Sequence, residues 1–100
     1  MGCTVSEKDG VVVITPSDRV YSEEAAFIRQ TAMELVEQGK VRFLFDFSRV
    51  KYIDSSGLGV LIALNKRASA LGGTVVIQGL KGMVGELFDL TSLNKIFTIE

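Results

Sequence analysis

The sequence contains no histidine and a single cysteine, and these shortages narrow its chemistry. Histidine is the commonest general base and metal ligand, and without it a zinc site would need several cysteines. Cys3 alone cannot form an internal disulfide. The Gly-x-Ser-x-Gly elbow of serine hydrolases and the Gly-x-x-x-x-Gly-Lys-Ser/Thr loop of nucleotide-binding proteins are both missing. Composition therefore favours a binding module that needs no metal or other cofactor over an enzyme.

The chain also lacks a charge surplus and a long apolar run. Its 11 Lys and Arg residues nearly balance 12 Asp and Glu residues, for a formal net charge of -1. That balance gives no basic surface of the kind that nucleic-acid backbones attract. No apolar segment reaches the roughly 18 residues expected of a membrane span, and no signal-peptide pattern is present. We therefore expect a cytoplasmic protein that binds neither nucleic acid nor membrane directly.

What is present has the length and pattern of one domain. With 100 residues, 47% of them hydrophobic, the chain can bury a core, so residues 1–100 are predicted to form a single domain. Strand patterns alternate with helix patterns, which indicates an α/β fold with a mostly parallel sheet of four to five strands and three or more helices. The predicted strands are a short one near Cys3, then 11–15, 41–47, 74–78 and 96–99, and the predicted helices are 22–38, 56–71 and 83–90.

Local signals refine the strands. Asp9-Gly10 is typical of a tight hairpin turn. The run 11–15 is apolar or β-branched throughout, which predicts a strand covered on both faces. Phe43, Phe45 and Phe47 alternate onto one face of the next strand, and we expect them in the core.

The first helix has a clear start. Residues 17–21 are predicted to be a polar connection. Ser22, followed by Glu23 and Glu24, indicates a helix whose first-turn acids face the positive end of its dipole.

The most informative stretch is Asp54-Ser55-Ser56-Gly57-Leu58-Gly59, which lies between two apolar runs. It is typical of a strand-to-helix junction, where a Ser or Asp oxygen accepts a hydrogen bond from a free N–H of the first turn. Gly57 and Gly59 would keep the helix start free of side chains, so that another protein could approach Ser55 and Ser56. A phosphate there would meet free N–H donors and the positive end of the helix dipole.

Plainer interpretations stay open for this stretch. Asp-Ser-Ser before a helix is also ordinary capping without regulation. The first two turns of the helix are apolar nearly all round, which suits either docking of another protein or burial under a neighbouring helix. The residues predicted to face inward are Leu58, Leu61, Ile62, Asn65 and Ala68.

The start of the chain carries a second pattern. Met1-Gly2-Cys3-Thr4-Val5-Ser6 formally fits the N-myristoylation motif, with Cys3 as a further acylation candidate. The motif is short and loose. A first strand with Cys3 as a small apolar residue is the preferred prediction.

Three spaced segments of the chain resemble the STAS domain family, and within it the stand-alone anti-anti-sigma factors of bacteria. They are Tyr52-Ile53-Asp54-Ser55-Ser56-Gly57-Leu58-Gly59-Val60, Leu71-Gly72-Gly73 and Leu87-Phe88-Asp89-Leu90-Thr91-Ser92-Leu93. The likeness covers essentially the whole chain. It implies an anti-sigma factor antagonist, which binds an anti-sigma factor that is itself a serine kinase and so releases the sigma factor.

The resemblance also implies residue roles. Ser55 matches the serine that the kinase phosphorylates, which ends the binding, and a metal-dependent serine phosphatase would restore it. Asp54 would position the junction, and Ser56 would be the alternative cap. The other candidate contacts are the two glycines of close approach and two apolar side chains: Gly57, Gly59, Leu58 and Val60.

One loop departs from the family pattern. Pro16-Ser17-Asp18-Arg19 stands where the family usually has Gly-Glu-Leu/Ile-Asp. Arg19 then replaces an acid near the phosphorylation site, so the kinase partner would differ from the sporulation and stress-response types or be absent. Arg19 could instead pair with a phosphate on Ser55 or simply be solvated.

Two other functions stay open at this point. The chain could be a scaffold or assembly protein in which the serine only caps a helix and self-association is the function. It could also be the STAS subunit of a transporter or of a lipid-handling complex. For the switched antagonist we expect a monomer or weak dimer.

Overall fold

The computed structural model describes residues 2–100, which form an α/β fold. The elements are β1 (Thr4–Lys8), β2 (Val11–Thr15), β3 (Arg19–Val20), α1 (Ser22–Glu37), β4 (Arg42–Asp46), β5 (Tyr52–Ile53), α2 (Ser55–Ala70), β6 (Thr74–Gln78), α3 (Gly82–Leu90), a 3₁₀ helix (Leu93–Lys95) and β7 (Thr98–Ile99). Met1 lies outside the described residues, and so does part of the N-myristoylation motif. Across the described chain, every helix is too short or too polar to cross a bilayer.

The main sheet has five strands in the order β1-β2-β4-β6-β7. β1 pairs antiparallel with β2 through the Asp9-Gly10 turn, and the remaining pairs are parallel. Both turn residues have positive φ, 53° and 81°, as a type I′ hairpin turn requires. The predicted α/β class and mostly parallel sheet are therefore confirmed.

A second, two-stranded sheet was not predicted. β3 pairs in parallel with β5, so Arg19 lies beside Tyr52 and Val20 beside Ile53. The sequence predicted a polar connection over 17–21, and this was wrong for Arg19 and Val20, which form β3. This small sheet holds the loop before α1 against the segment that leads into α2.

The hydrophobic core lies on one face of the main sheet. In β2, Val12 and Ile14 are buried while Val11 and Val13 are only half-buried, and β4 and β6 show the same alternation. The prediction that β2 is covered on both faces was wrong, because α1, α2 and α3 bury their apolar residues in a single cluster with one face of the strands. Phe43, Phe45 and Phe47 are in that core, as predicted.

The start of α1 is held by an unexpected contact. Glu24 is 5% exposed. Its carboxylate accepts hydrogen bonds from the Ser17 N–H at 2.9 Å and from the Ser17 hydroxyl at 2.7 Å. Tyr21 occupies the N-cap position in extended backbone, φ -104° and ψ -170°, and its side chain makes no capping hydrogen bond. Glu24 therefore anchors the preceding loop, and the cap of α1 is left unfilled.

This arrangement predicts that a capping side chain at position 21 stabilises the protein. Tyr21→Ser and Tyr21→Ala both remove the ring, but only serine supplies an oxygen for a first-turn N–H. We expect the serine variant to exceed the alanine variant in free energy of unfolding by about 1 kcal/mol. Urea denaturation of the two variants measures the difference, and equal stabilities would contradict the proposed vacancy at the cap.

Candidate functional site

Asp54 follows β5 and caps α2. Its backbone is extended, φ -110° and ψ -174°, and its side-chain oxygen accepts a hydrogen bond from the Gly57 N–H at 3.2 Å. The helix begins at Ser55, one residue earlier than predicted. The Asp54 carboxylate caps it, and Ser56, which was the alternative cap, lies inside the helix. Ser55 and Ser56 are thus the first two residues of the helix, where N–H groups have no acceptor within it.

Both serine side chains are exposed. Within residues 2–100 neither hydroxyl takes part in a side-chain hydrogen bond. The exposed hydroxyl of Ser55 therefore lies at the positive end of a 16-residue helix. A phosphate on it would lie near unpaired N–H donors.

Gly57 has a different role from the one predicted. It is buried, and a Cβ at this position would lie 2.7 Å from Cγ1 of Ile53 and 2.9 Å from Cγ1 of Val20. The glycine therefore lets the first turn of α2 pack against the small sheet, and it does not face an approaching partner. Gly59 is exposed and has nothing within 4 Å of its Cβ position, so it does leave open surface.

The inward face of α2 differs from the predicted one. Because Gly57 must face the small sheet, the buried positions follow from it at helical spacing. Val60 is 7% exposed and belongs to the core, so its prediction as a partner contact was wrong. Leu58, Ile62 and Asn65 are half-buried at the side of the helix. The buried residues are Gly57, Val60, Leu61, Leu64 and Ala68.

Arg19 lies next to the segment that carries the site. Its guanidinium carbon is 5.7 Å from the centre of the Tyr52 ring, within range of a cation–π contact. The Asp54 N–H donates to the carbonyl of Val20 at 3.3 Å, which ties the cap to the same strand. In the described chain the only salt bridge joins Lys40 to Glu7, so Arg19 has no carboxylate partner there.

An apolar groove adjoins the site and was missed from the sequence. It has a volume of about 290 Å³ and separates the Tyr21 and Tyr52 side chains from α3. Its apolar members on α3 are Met83, Val84, Leu87 and Leu90. We call this the α3 groove, and its lining residues are Tyr21, Lys51, Tyr52, Ile53, Met83, Val84, Glu86, Leu87 and Leu90.

Several large apolar side chains of the groove are exposed to solvent. Leu90 is 84% exposed, Met83 68%, Tyr21 44% and Tyr52 41%. A helix that is apolar on two faces, with one face uncovered, is typical of a protein that docks on another. Ile53 lines the groove, and Ser55 follows it two residues later in the chain.

The described residues include one cysteine and no cluster of metal ligands. Over residues 2–100, His, Cys, Asp and Glu side chains form no group of three that could hold a metal ion. Cys3 is half-buried, and burial, followed by the nearby Glu24 carboxylate, raises the pKa of its thiol to about 11. It is therefore a neutral thiol near pH 7, which is a poor nucleophile.

Comparison with known proteins identifies relatives over nearly the whole chain. The family model for the STAS domain matches residues 3–100. The anti-sigma-B factor antagonist of Bacillus subtilis is 34% identical over 94 residues, which are 94% of this chain and 84% of that protein. The crystal structure of an anti-sigma factor antagonist from Mycobacterium paratuberculosis matches with a TM-score of 0.78 at 26% identity, over 97% of this chain and 82% of that one.

A further structural likeness concerns the fold alone. The phosphorylated form of SpoIIAA, a cell fate determinant of Bacillus, matches with a TM-score of 0.82 over 99% of this chain and 91% of that one. At 18% identity this likeness is evidence for the shared fold only.

The two glycines of α2 give a matched test of the site geometry. Gly59→Ala adds a methyl group to open surface and should raise the free energy of unfolding by about 0.5–1 kcal/mol, because alanine has the higher helix propensity. Gly57→Ala should lower it by about 1–2 kcal/mol, because the methyl group meets Ile53 and Val20. Thermal or urea unfolding of both variants ranks them, and a stabilised Gly57→Ala would contradict the close packing.

Proposed function

The chain belongs to the STAS domain family, and we propose that it is an anti-sigma factor antagonist whose binding is controlled by phosphorylation of Ser55. The observation that carries the proposal is the exposed Ser55 hydroxyl in the first turn of α2, two residues after Ile53 of the α3 groove. The name of the Bacillus subtilis relative supports the same class of function. The proposal includes a single STAS domain over residues 1–100, in the cytoplasm, without a catalytic role.

The proposed partner is an anti-sigma factor with serine kinase activity. It would bind the unphosphorylated protein across the start of α2 and the α3 groove. The apolar side chains of the groove would supply the contact area that association requires, since buried aromatic and aliphatic anchors dominate most interfaces. Besides the groove, the contact residues proposed are Asp54, Ser56, Leu58, Gly59 and Arg19.

Phosphorylation would act as a switch without refolding. A phosphoryl group adds about -1.5 to -2 charges at neutral pH. The helix start tolerates this charge, because free N–H groups and the helix dipole face it. A partner packed against the same surface would have to desolvate the phosphate, which costs several kcal/mol unless matching donors are supplied. A serine phosphatase would reverse the switch.

Arg19 is the charge that distinguishes this site from the usual family pattern. Its guanidinium lies over the ring of Tyr52, which is one of the residues that line the α3 groove. In the unphosphorylated protein we propose that it faces an acid of the partner. After phosphorylation it could reach the phosphate instead, and loss of the partner contact would add to the switch.

The proposal predicts that a negative charge at Ser55 abolishes binding and leaves the fold intact. The anti-sigma factor would first be recovered from the host with the Ser55→Ala variant as bait, and its affinity then measured by isothermal titration calorimetry. We expect Ser55→Asp to weaken binding at least about 100-fold, since an unpaired charge in an interface costs several kcal/mol. Its thermal unfolding should match the wild type within a few degrees.

Ser69→Asp is the matched control and should bind normally, because it places the same charge on an exposed serine in the last turn of α2. Phosphopeptide mass spectrometry of the protein from its host should show phosphate on Ser55 and none in the Ser55→Ala variant. Phosphate on Ser56 alone, or undiminished binding by Ser55→Asp, would overturn the proposal.

The groove gives a separate prediction about the same partner. Leu90→Ser changes a side chain that is 84% exposed, so the free energy of unfolding should change by less than about 0.5 kcal/mol. Affinity for the anti-sigma factor should fall about tenfold or more, because an apolar anchor is lost. Leu71→Ser, at the far end of α2 and 55% exposed, is the control that should bind normally. Equal loss in both variants would argue against the groove.

A further inference from the structure

Nothing in the described part of the chain covers the face of the main sheet opposite the helices. Across three inner strands it presents one aligned row of half-buried aliphatic side chains, and the register pairs Val13 with Leu44 and Leu44 with Val76. Residues in the middle of a five-stranded sheet would be fully buried if any layer covered them. We call this surface the open face.

Charges of opposite sign flank the aliphatic row. On one side of the row, two residues along the strands, lie the cations Arg42 and Lys8. Arg42 is in register with Thr74, and Lys8 is in register with Val11. On the other side lies Asp46, in register with Gln78. β4 alone therefore carries a cation, an aliphatic residue and an anion on the same face, as Arg42, Leu44 and Asp46. Over residues 2–100 neither Arg42 nor Asp46 takes part in a salt bridge.

We propose that the open face binds a second copy of this chain. A two-fold axis in the plane of the interface, across β4 at Leu44, would place Leu44 against Leu44. It would also bring Arg42 of each copy opposite Asp46 of the other. The alternative axis, along β4, would bring like charges together. The charge pattern thus favours one isologous arrangement, and such an arrangement closes at two copies.

The size of the face indicates a weak dimer. Five strands about 4.8 Å apart, with three rows of side chains about 7 Å apart, cover on the order of 400 Å² per copy. Stable interfaces bury roughly 800 Å² per partner. We therefore expect association in the high-micromolar range, through a surface that lies across the sheet from the helical core.

Sedimentation equilibrium from about 10 µM to 1 mM tests the inference. The wild type should form a dimer and no larger species. Arg42→Asp should raise the dimer dissociation constant at least about tenfold, because each interface gains two like-charge contacts. Asp46→Arg should do the same, and the double variant Arg42→Asp with Asp46→Arg should return to within about threefold of the wild type, since both contacts are restored with reversed sign.

Asp46 also accepts a hydrogen bond from the Ser48 N–H at 3.0 Å, so circular dichroism must show that each variant is folded. If Asp46→Arg is not folded, Asp46→Asn takes its place as the second single variant beside Arg42→Asp. Asparagine retains the side-chain oxygen that accepts the hydrogen bond from Ser48. Arg29→Asp, on the exposed side of α1, is the control that should dimerise normally. A monomer at 1 mM, a larger assembly, or a dimer insensitive to Arg42→Asp would overturn the inference.

Discussion

The close packing of the first turn of α2 against the small sheet fixes the rest of the site. Gly57 leaves no room for a Cβ between itself and the side chains of Ile53 and Val20. That contact sets the rotation of α2 about its axis, and with it which residues face the core. It also holds Asp54 where its carboxylate caps the helix. Ser55 is exposed as a consequence, because it follows the cap and precedes the buried glycine.

Sequence patterns predicted the parts of the fold that rest on local signals. Asp9-Gly10 indicated its hairpin because the turn needs two residues with positive φ, and Phe43 and Phe45 indicated a core face because they alternate. Two-residue strands such as β3 and β5 have no periodicity to detect, so the small sheet was missed. The same gap explains the error at Gly57. Its role depends on contact with Ile53, four residues before it, and with the Val20 side chain, which is far from it in sequence. No local pattern could show the contact with Val20.

Tyr21 shows how helix stability and binding compete at one position. Its backbone conformation suits a capping residue, yet its aromatic ring makes no cap and lines the α3 groove instead. Asp, Ser or Asn would be the stabilising choice there. Natural sequences give up stability in this way where a surface serves a function. The buried Glu24, which holds Ser17 with two hydrogen bonds, keeps the loop in place without that cap.

The one-sided core separates the two surfaces assigned to binding. The helices α1, α2 and α3 bury one face of the sheet, and the proposed phosphorylation site lies at the start of α2. The open face lies on the other side of the sheet. A dimer through the open face would therefore carry two copies of the Ser55 surface, both free. A partner with two binding sites of its own would then engage the second copy at a high effective concentration, provided the spacing fits. Weak self-association would in this way strengthen the binding of such a partner, and the phosphorylation of one serine in each chain would still control that binding.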